Sequence, residues 1–474
     1  MAGMPNITEA LVNFATETRF EDLPGDVIHE TKRVLLDSVG CALGGLSIDK
    51  GKIAVQAAKQ LAGSPNDASI LGTGERVSYF GAAFANGELI QALDYDPIIF
   101  PAIHITPFVL AAPLALAEGL HRSGKELVRA AAIALEMSAR FGKAFPKKGQ
   151  VVDGTVVPPP VRGYSWTIFG GTAASGILLG LNAERMAHAL GIAGVIAPVS
   201  ARQKFMTTIP IHMSKHLMAG WICGAEITAV HLSHMGYGGD TQVFDGDYGF
   251  WRFSGYPHWE PAAITDDLGE SWQFVSGTHY KLYPCCGVFR TALDCSTHLI
   301  TEKEIEPNEI EKINVFLDLE TFGVQSVWEN PRIEGAIDAQ FSAAYNVAVA
   351  AHRLRPMDWQ TPETLRNPAI LGLMKKIIVA PHPDFPKHEA TKGDRGKVEI
   401  YARGKVFTEE RVAPKGSPGP EALRMTDDEL AGKFRDQASM VLPAEKTDSA
   451  LNKLLTLETQ KDMFEVVKEL TQTE

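Results

Sequence analysis

Residues 109–142, VLAAPLALAEGLHRSGKELVRAAAIALEMSARFG, decide the fold class of this sequence. The stretch is rich in Ala and Leu, which favour helix, and its apolar residues recur at three- and four-residue spacing. Similar helical stretches occur at residues 7–17, 28–46 and 185–197. The many small residues predict closely packed, buried helices rather than a surface layer. We therefore expect a helical structure from residue 7 to about residue 255.

Loops are predicted to interrupt the helical part at residues 72–78, 147–165 and 235–255. The loop at 147–165 contains three consecutive prolines, which exclude helix.

The second part of the chain has a different pattern. Between residues 266 and 404, short runs rich in β-branched residues predict strands at 312–319, 375–381 and 397–407. Residues 338–354 are predicted as one buried helix. After residue 404 the chain returns to helix at Thr426, an N-cap followed by an acidic first turn.

The composition bounds the architecture and excludes some functions. The 474 residues exceed what one hydrophobic core normally supports, which predicts two domains. The net charge of −12 argues against a general nucleic-acid binder, since phosphate binding needs a basic face. Five cysteines are few for this length and odd in number, which fits a reducing compartment. We find no secretory signal and no apolar run long enough to cross a bilayer, so we expect a cytoplasmic protein without membrane contact.

The segment HYKLYPCCGVFR, residues 279–290, is a first candidate for chemistry. Its adjacent cysteines, Cys285 and Cys286, point in different directions and lack a CxxC partner. We therefore interpret them as buried structural thiols rather than as a metal site, a redox pair or a nucleophile. Lys281 is the stronger candidate, because a lysine among aromatic residues needs an anion to offset the cost of burial. The alternative is a surface lysine whose ammonium group reaches water.

A second candidate is LIQALDYDPIIFPAIHITP, residues 89–107. Asp94 and Asp96 follow a helical run, and His104 lies in an apolar loop bounded by prolines. A carboxylate beside a histidine fixes the imidazole tautomer and stabilises its charged form, as acid–base catalysis requires. A capped turn and a buried histidine without a catalytic role are the alternative, which spacing alone favours.

Histidines near residue 214 give a weaker signal. His212 and His216 have the i, i+4 spacing of zinc ligands on a helix, but the glutamate of the HExxH motif is absent. We expect no metal here and prefer Lys215, at the start of a predicted helix, as the functional residue.

Four further residues are candidates for binding an anion. Arg162 and Tyr164 precede a helix of small residues, whose amino terminus favours negative charge. Arg202 and Lys204 either clamp a carboxylate or form a solvated face. The chain contains neither a phosphate loop nor a dinucleotide fingerprint, so we expect no nucleotide cofactor.

Taken in order, the segments of this chain resemble the MmgE/PrpD family, which includes 2-methylcitrate dehydratase, cis-aconitate decarboxylase and iminodisuccinate epimerase. The matching stretches include TKRVLLDSVGCALGG at 31–45, FANGELIQALDYD at 84–96, KLYPCCG at 281–287 and KGSPGPEALRMTDDELAGKF at 415–434. The resemblance implies a mainly α protein, with a large all-helical domain formed by residues 1–265 and 405–474. A smaller α+β lid, residues 266–404, is inserted between these two parts. The resemblance also implies a site between the domains, no metal or organic cofactor, and a homodimer.

The resemblance places the catalytic roles on His104, Asp94, Lys215 and Lys281, and Tyr164 stands where the family has a histidine. We expect His104, oriented by Asp94, to be the general acid/base, and Tyr164 to donate a proton. The two lysines would bind substrate carboxylates, stabilise developing charge and lower each other's pKa. We expect four further residues to contribute to substrate binding, namely Arg162, Arg202, Lys204 and Asp96.

The sequence departs from the family pattern around these residues. Pro97 replaces a further carboxylate, Ile98 a threonine and Met218 a histidine, and SARQKF at 200–205 replaces a small neutral stretch. We therefore expect a lyase acting on a small di- or tricarboxylate, either a hydro-lyase or a carboxy-lyase, whose substrate can differ from methylcitrate and aconitate. The alternatives are an epimerase with two opposed proton-transfer groups, such as His104 and Tyr164, and a non-catalytic polycarboxylate binder.

Overall fold

Helices dominate the structure, in agreement with the expected mainly α class. The computed structural model describes residues 6–472 except 62, 64, 146–149, 153–154, 158–160, 162, 206–207, 216, 318–331, 383 and 385–393. Its helices up to residue 277 are α1 (Ile7–Glu17), α2 (Gly25–Gly45), α3 (Asp49–Leu61), α4 (Tyr79–Ala92), α5 (Thr106–Val109), α6 (Ala111–Gly119), α7 (Gly124–Ala144), α8 (Thr167–Leu179), α9 (Ala183–Ile196), α10 (Arg202–Phe205), α11 (Ala219–His234), α12 (Phe250–Phe253), α13 (Ala262–Thr265) and α14 (Gln273–Gly277). The later helices are α15 (Arg290–Glu302), α16 (Ala336–Gln340), α17 (Ala343–Ala351), α18 (Pro362–Leu365), α19 (Pro368–Met374), α20 (Asp427–Ala438), α21 (Ala444–Leu455) and α22 (Met463–Val467).

The ten described strands are short; four of them form one sheet, and the other six form three two-stranded pairs. They are β1 (Ala68–Ser69), β2 (Arg76–Val77), β3 (Ile98–Ile99), β4 (Gln150–Val152), β5 (Thr155–Val157), β6 (Thr278–His279), β7 (Ile310–Leu317), β8 (Ile377–Pro381), β9 (Gly396–Ala402) and β10 (Lys405–Arg411). The larger sheet has the order β10-β9-β7-β8, with β7 and β8 parallel and the other pairs antiparallel. The three strand-like runs of the sequence fall on β7 to β10, so these predictions are confirmed.

Local signals explain where the helices begin and end. The stretch 109–142 forms two long helices, α6 and α7, because Ser123 caps the second. The Ser123 side chain accepts from Glu126 N–H, and the Glu126 side chain accepts from Ser123 N–H. Thr426 and Glu429 make the same reciprocal capping at α20, as predicted for the carboxy-terminal helix.

Two hydrophobic cores organise the described residues. The first includes buried residues from Ile7 to Tyr280 and from Met425 to Leu470. Helix α20 packs on α2, so the two ends of the chain share this core. The second core contains buried residues from Cys285 to Ala402, where α15 packs against β9 and β10.

Two local predictions are wrong. Residues 338–354 form two helices, because Ser342 interrupts the first and caps α17 by accepting from Tyr345 N–H. The predicted loop 147–165 contains the antiparallel pair β4–β5, since its two valine-rich runs pair with each other; Pro158 to Pro160 lie outside the described residues. Among the helices described, none combines the length and the apolar character that a membrane crossing requires.

Candidate active site

Asp94 follows helix α4 and contacts two buried ammonium groups. Its backbone is left-handed, with φ 55°, and its N–H donates to Gln91 O at 3.1 Å, so it occupies the position just past the helix end. Its two carboxylate oxygens lie 3.2 Å from Lys215 Nζ and 3.2 Å from Lys281 Nζ. None of the three side chains is more than 1% exposed. A carboxylate at the negative end of a helix is unfavourable, and the two ammonium groups offset this repulsion.

Lys281 reaches Asp94 because its segment is held on both sides. The preceding strand β6 pairs with β3, which follows the two aspartates. Tyr280 N–H donates to Gly416 O at 2.9 Å, where the φ of 89° favours glycine. Lys281 Nζ also donates to the backbone carbonyl of Asp94 at 2.6 Å. The lysine is therefore a buried ion-pair partner held by a backbone bend, and the surface alternative is wrong.

Lys215 approaches the same carboxylate from the other side. It lies four residues before α11, so it precedes the helix instead of starting it. Its Nζ donates to Gln340 Oε1 at 2.6 Å in addition to its contact with Asp94. Gln340, at the end of α16, was not among the residues expected from the sequence, and its only signal is an amide placed within an apolar stretch.

Gln340 belongs to a pair of buried amides that joins the two cores. Its Nε2 donates to Ala92 O at 2.8 Å and to Gln360 Oε1 at 2.7 Å. Gln360 Nε2 in turn donates to Leu93 O at 3.0 Å and to Pro284 O at 2.6 Å. These bonds satisfy carbonyls at the end of α4 and fix the partner of Lys215.

The two lysines differ in pKa although they share one carboxylate. Burial is the largest influence on Lys215 and, despite the attraction of Asp94, lowers its pKa to about 8, with Lys50 and Lys281 acting in the same direction. Burial also acts on Lys281, but Asp94 and then Asp96 outweigh it and raise the pKa above its ordinary value. The expected lowering thus applies to Lys215 alone. Groups whose surroundings push their pKa values apart are typical of acid–base sites.

His104 completes the cluster from the loop after the aspartates. The preceding residue, Ile103, has φ 79°, which is unusual for a β-branched residue. Reciprocal backbone hydrogen bonds of 2.8 Å and 2.6 Å between Ile99 and Ile103 stabilise this bend. The His104 side chain is 5% exposed, and its Nε2 lies 3.8 Å from Asp94 Oδ1.

Asp96, not Asp94, makes the hydrogen bond that orients His104. Asp96 Oδ2 lies 2.8 Å from His104 Nδ1, whereas Asp94 faces the lysines. The structure thus differs from the expectation that Asp94 orients the histidine, whereas substrate binding by Asp96 stays a prediction. Burial acts to raise the pKa of Asp96, but His104 and Lys281 prevail and lower it. We therefore assign the ring proton to Nδ1, which leaves Nε2 facing the lysine–aspartate cluster.

The other expected residues lie around this cluster or apart from it. Tyr164 is buried, with its ring stacked on Phe108 at 5.2 Å and edge-on to His104 at 6.2 Å between centroids. The Arg202 guanidinium carbon lies 5.4 Å from the Tyr164 ring centroid. Lys204 is exposed, and Arg162 lies outside the described residues.

The two adjacent cysteines carry no sign of chemistry. Cys285 and Cys286 are free, and burial raises the pKa of both, that of Cys286 to about 12, so neither is a ready thiolate. His212 is exposed and His216 lies outside the described residues, so the expectation that this pair binds no metal is not tested.

Within the described residues, one group has the spacing of a metal site. Ligand atoms of Asp94, Asp96 and His104 lie within 4.8 Å of one another. The Asp94 oxygens already face two ammonium groups, and His104 Nδ1 bonds to Asp96. A divalent cation would have to approach both lysines, so this donor set fits a metal poorly.

Comparisons with known proteins identify relatives along nearly the whole chain. The chain is 28% identical to a cis-aconitate decarboxylase-like protein of Aspergillus oryzae, over 98% of this chain and 96% of that protein. It is 24% identical to a cis-aconitate decarboxylase of Aspergillus terreus, over 96% of this chain and 94% of that protein. It is 25% identical to the cis-aconitate decarboxylase of Mus musculus, over 97% of this chain and 92% of that protein. The sequence profile of the MmgE/PrpD N-terminal domain matches residues 9–261 and that of the MmgE/PrpD C-terminal domain matches residues 283–457, so this chain belongs to the MmgE/PrpD family.

Proposed function

We propose that this lyase of the MmgE/PrpD family acts on a small polycarboxylate by proton transfer at a carbon next to a carboxylate. The observation that carries the proposal is the pair of buried ammonium groups on Asp94, directly beside His104. Relatives named cis-aconitate decarboxylase align along nearly the whole chain, which supports a carboxy-lyase before a hydro-lyase. The reaction needs no metal or organic cofactor in this proposal.

Lys281 serves as the fixed positive charge. Loss of CO₂, like removal of a proton, leaves an electron pair on carbon that an adjacent carboxylate delocalises. An ammonium group held at that carboxylate stabilises the developing charge, most strongly where water is excluded. The contacts of Lys281 with the carbonyl and carboxylate of Asp94 hold it in place, and its raised pKa keeps it protonated.

His104 transfers the proton and Lys215 supplies a second, releasable one. Asp96 holds Nδ1, so Nε2 is the atom that exchanges a proton with the substrate carbon. Lys215, with a pKa lowered to about 8, binds a substrate carboxylate while protonated and can act as an acid near neutrality. The Tyr164 ring packs edge-on against the His104 imidazole, and its phenol is a further proton donor in this proposal.

The charge around the site favours a substrate with several carboxylates. Two ammonium groups and two carboxylates balance when His104 is neutral, so a polyanion needs further positive charge. In this proposal Arg202, beyond the Tyr164 ring, provides it. Ile98 is buried where the family has threonine, and in this proposal the loss of that hydroxyl favours a substrate other than the family's usual ones.

We also propose the two-domain arrangement and the homodimer that the resemblance implies. The core of residues 285–402 would act as the lid on the helical domain, with the site at its edge. Most of the large exposed hydrophobic side chains of the described residues lie between 195 and 253, including Met218, Trp221 and Met235, which is where we place the subunit contact. Trp221→Glu should then shift the mass measured by light scattering from dimer to monomer.

The test is a mass-resolved screen of cis-aconitate, alkylcitrates, malate and iminodisuccinate with the purified protein. Release of CO₂ supports the carboxy-lyase, and loss of water the hydro-lyase. Solvent deuterium entering an otherwise unchanged substrate supports an epimerase instead, and stabilisation by these acids without turnover supports a binder.

A matched pair of histidine variants tests the site. His104→Gln should lower kcat by about 10²–10⁴-fold, as expected for loss of a general acid/base. His212→Gln, at an exposed histidine, should leave kcat unchanged. Equal activity of both variants would remove His104 from the mechanism.

A further inference from the structure

Lys433 of the carboxy-terminal helix α20 reaches the backbone between the two aspartates of the site. Its Nζ donates to Tyr95 O at 3.0 Å and lies 3.8 Å from the centroid of the Tyr95 ring. The same nitrogen lies 2.7 Å from Asp37 Oδ1 on α2, and the two side chains are only 5% and 0% exposed. A buried ammonium group is costly unless it is paired, so these contacts hold it in one position.

Tyr95 is fixed at its other end as well. Its phenol donates to Leu282 O at 2.9 Å, in the segment that carries Lys281. The residues on either side of Tyr95 point to different partners: Asp94 contacts the two lysines and Asp96 contacts His104 Nδ1. The Tyr95 carbonyl belongs to the peptide that joins Tyr95 to Asp96, so a rotation of this planar unit would move the Asp96 carboxylate.

We propose that Lys433 is a positioning residue for the reaction, which holds the Tyr95 carbonyl and thereby sets where Asp96 meets His104. The inference rests on the proposed function of the site. Lys433 does not touch the reacting groups and acts through the turn that carries the aspartates. Asp37 fixes the ammonium group from the opposite side, so the two residues act as one unit.

A second ion pair of the protein provides a matched control. Lys32, also on α2, lies 2.8 Å from Glu458 in the carboxy-terminal segment. This pair ties the same two parts of the chain together as Asp37 and Lys433 do. Lys32 Nζ donates to the Glu458 carboxylate and to Leu455 O rather than to the turn that carries Asp94 and Asp96. A variant of this pair therefore measures the effect of loosening the chain ends without moving the turn.

The experiment compares two double variants with the wild-type protein. Asp37→Leu with Lys433→Met removes both charges together, which avoids leaving one buried charge unpaired. Lys32→Met with Glu458→Gln is the control. Proteins labelled with [¹⁵N]histidine give the ring nitrogen shifts of His104, identified by their absence from His104→Gln. kcat and KM are measured per folded molecule on the substrate found in the screen.

We expect the Asp37/Lys433 variant to shift the His104 ring nitrogens away from the Nδ1–H form and to lower kcat by roughly 10- to 100-fold, as for a small misplacement of a catalytic group. KM should change far less, because both lysines retain Asp94. The control should retain the wild-type spectrum and kcat. If the double variant does not fold, Lys433→Arg, which keeps the charge but moves the donor, should show the same spectral shift in smaller measure.

The two proposals fail in different ways. Unchanged His104 signals in the Asp37/Lys433 variant, or an equal shift in the control, would overturn the positioning role whatever the activity. Shifted signals together with full activity of His104→Gln would instead overturn the proposed function and leave the structural link intact.

Discussion

Replacing Asp94 by asparagine tests whether one carboxylate neutralises both buried lysines. The two oxygen–nitrogen distances are 3.2 Å each. At an effective dielectric constant of about 20, a unit-charge pair at this distance has a Coulomb energy of about 5 kcal/mol. Much of this offsets the loss of hydration, and breaking a buried pair costs roughly 3–5 kcal/mol in the free energy of unfolding. Deprotonation of the unpaired lysine limits this loss of stability, because making a lysine of pKa about 10.4 neutral at pH 7 costs about 4.6 kcal/mol.

The stability of Asp94→Asn should also change with pH in a definite direction. In Asp94→Asn the folded protein should hold Lys215 and Lys281 neutral, with pKa values below those of the unfolded chain. The unfolded state then binds more protons, so stability rises with pH, by about 1.4 kcal/mol per neutral lysine for each unit between pH 7 and 10. In the wild type Lys281 has a raised pKa and stays charged, whereas Lys215, with a pKa of about 8, goes from mostly to half protonated between pH 7 and 8. Stability should therefore rise there by only roughly 0.4 kcal/mol.

Urea unfolding at pH 7 and pH 8 measures both the loss in the free energy of unfolding and its change with pH. Asp294→Asn is the control, because this buried carboxylate accepts from Lys415 N–H and the Tyr283 phenol rather than from an ammonium group. The control should show no more than the small wild-type gain in stability between the two pH values. A loss below about 1 kcal/mol at pH 7 for Asp94→Asn, or a pH slope equal to that of the wild type, would refute the reasoning.

Four further predictions follow from the same geometry. Above pH 8, kcat should fall by about tenfold per unit as Lys215 loses its proton, and a flat profile to pH 10 would contradict its role. Binding of a tricarboxylate at pH 8 should take up protons, seen as calorimetric heats that depend on the ionisation enthalpy of the buffer, because the added negative charge raises the lowered pKa of Lys215; equal heats in all buffers would speak against this. Alanine at both Cys285 and Cys286 should leave kcat within about twofold, since neither thiol is ionised, and a large loss would return the thiols to the mechanism. Dialysis against a chelator should leave activity intact, and a loss restored by one divalent metal would show that the acidic cluster binds it.

Local patterns predicted most elements, because helices and strands depend on nearby residues. Apolar spacing and the cap at Thr426 were readable, as was the strand-forming run that becomes β9 and the start of β10, whereas the break before Ser123 within residues 109–142 was not predicted. The split at Ser342 was not predicted either, because the same apolar run continues across it.

The candidate site was predictable only in part. His104, Lys215 and Lys281 were identified by type and resemblance, and the structure brings all three to Asp94. The backbone at Asp94 is left-handed, and it is the Asp96 carboxylate rather than that of Asp94 that bonds to the His104 imidazole. The spacing of the residues in the sequence does not indicate this exchange.

Partners from distant segments could not be predicted from spacing at all. Gln340 meets Lys215 across 125 positions and Lys433 meets Tyr95 across 338, so neither contact leaves a local signature. Arg202 and Lys204 were left open between a clamp and a solvated face; Lys204 is exposed, and Arg202 packs over an aromatic ring.

The distance along the sequence between Asp94 and its partner Lys281 also bears on biosynthesis. Lys281 follows Asp94 by 187 positions, an interval of about 10–40 s at ordinary translation speeds. During that time the growing polypeptide holds an acidic turn without one of its two counterions. The amino-terminal helices therefore emerge from the ribosome with this turn still hydrated, and water leaves it only after the later half of the chain has been made.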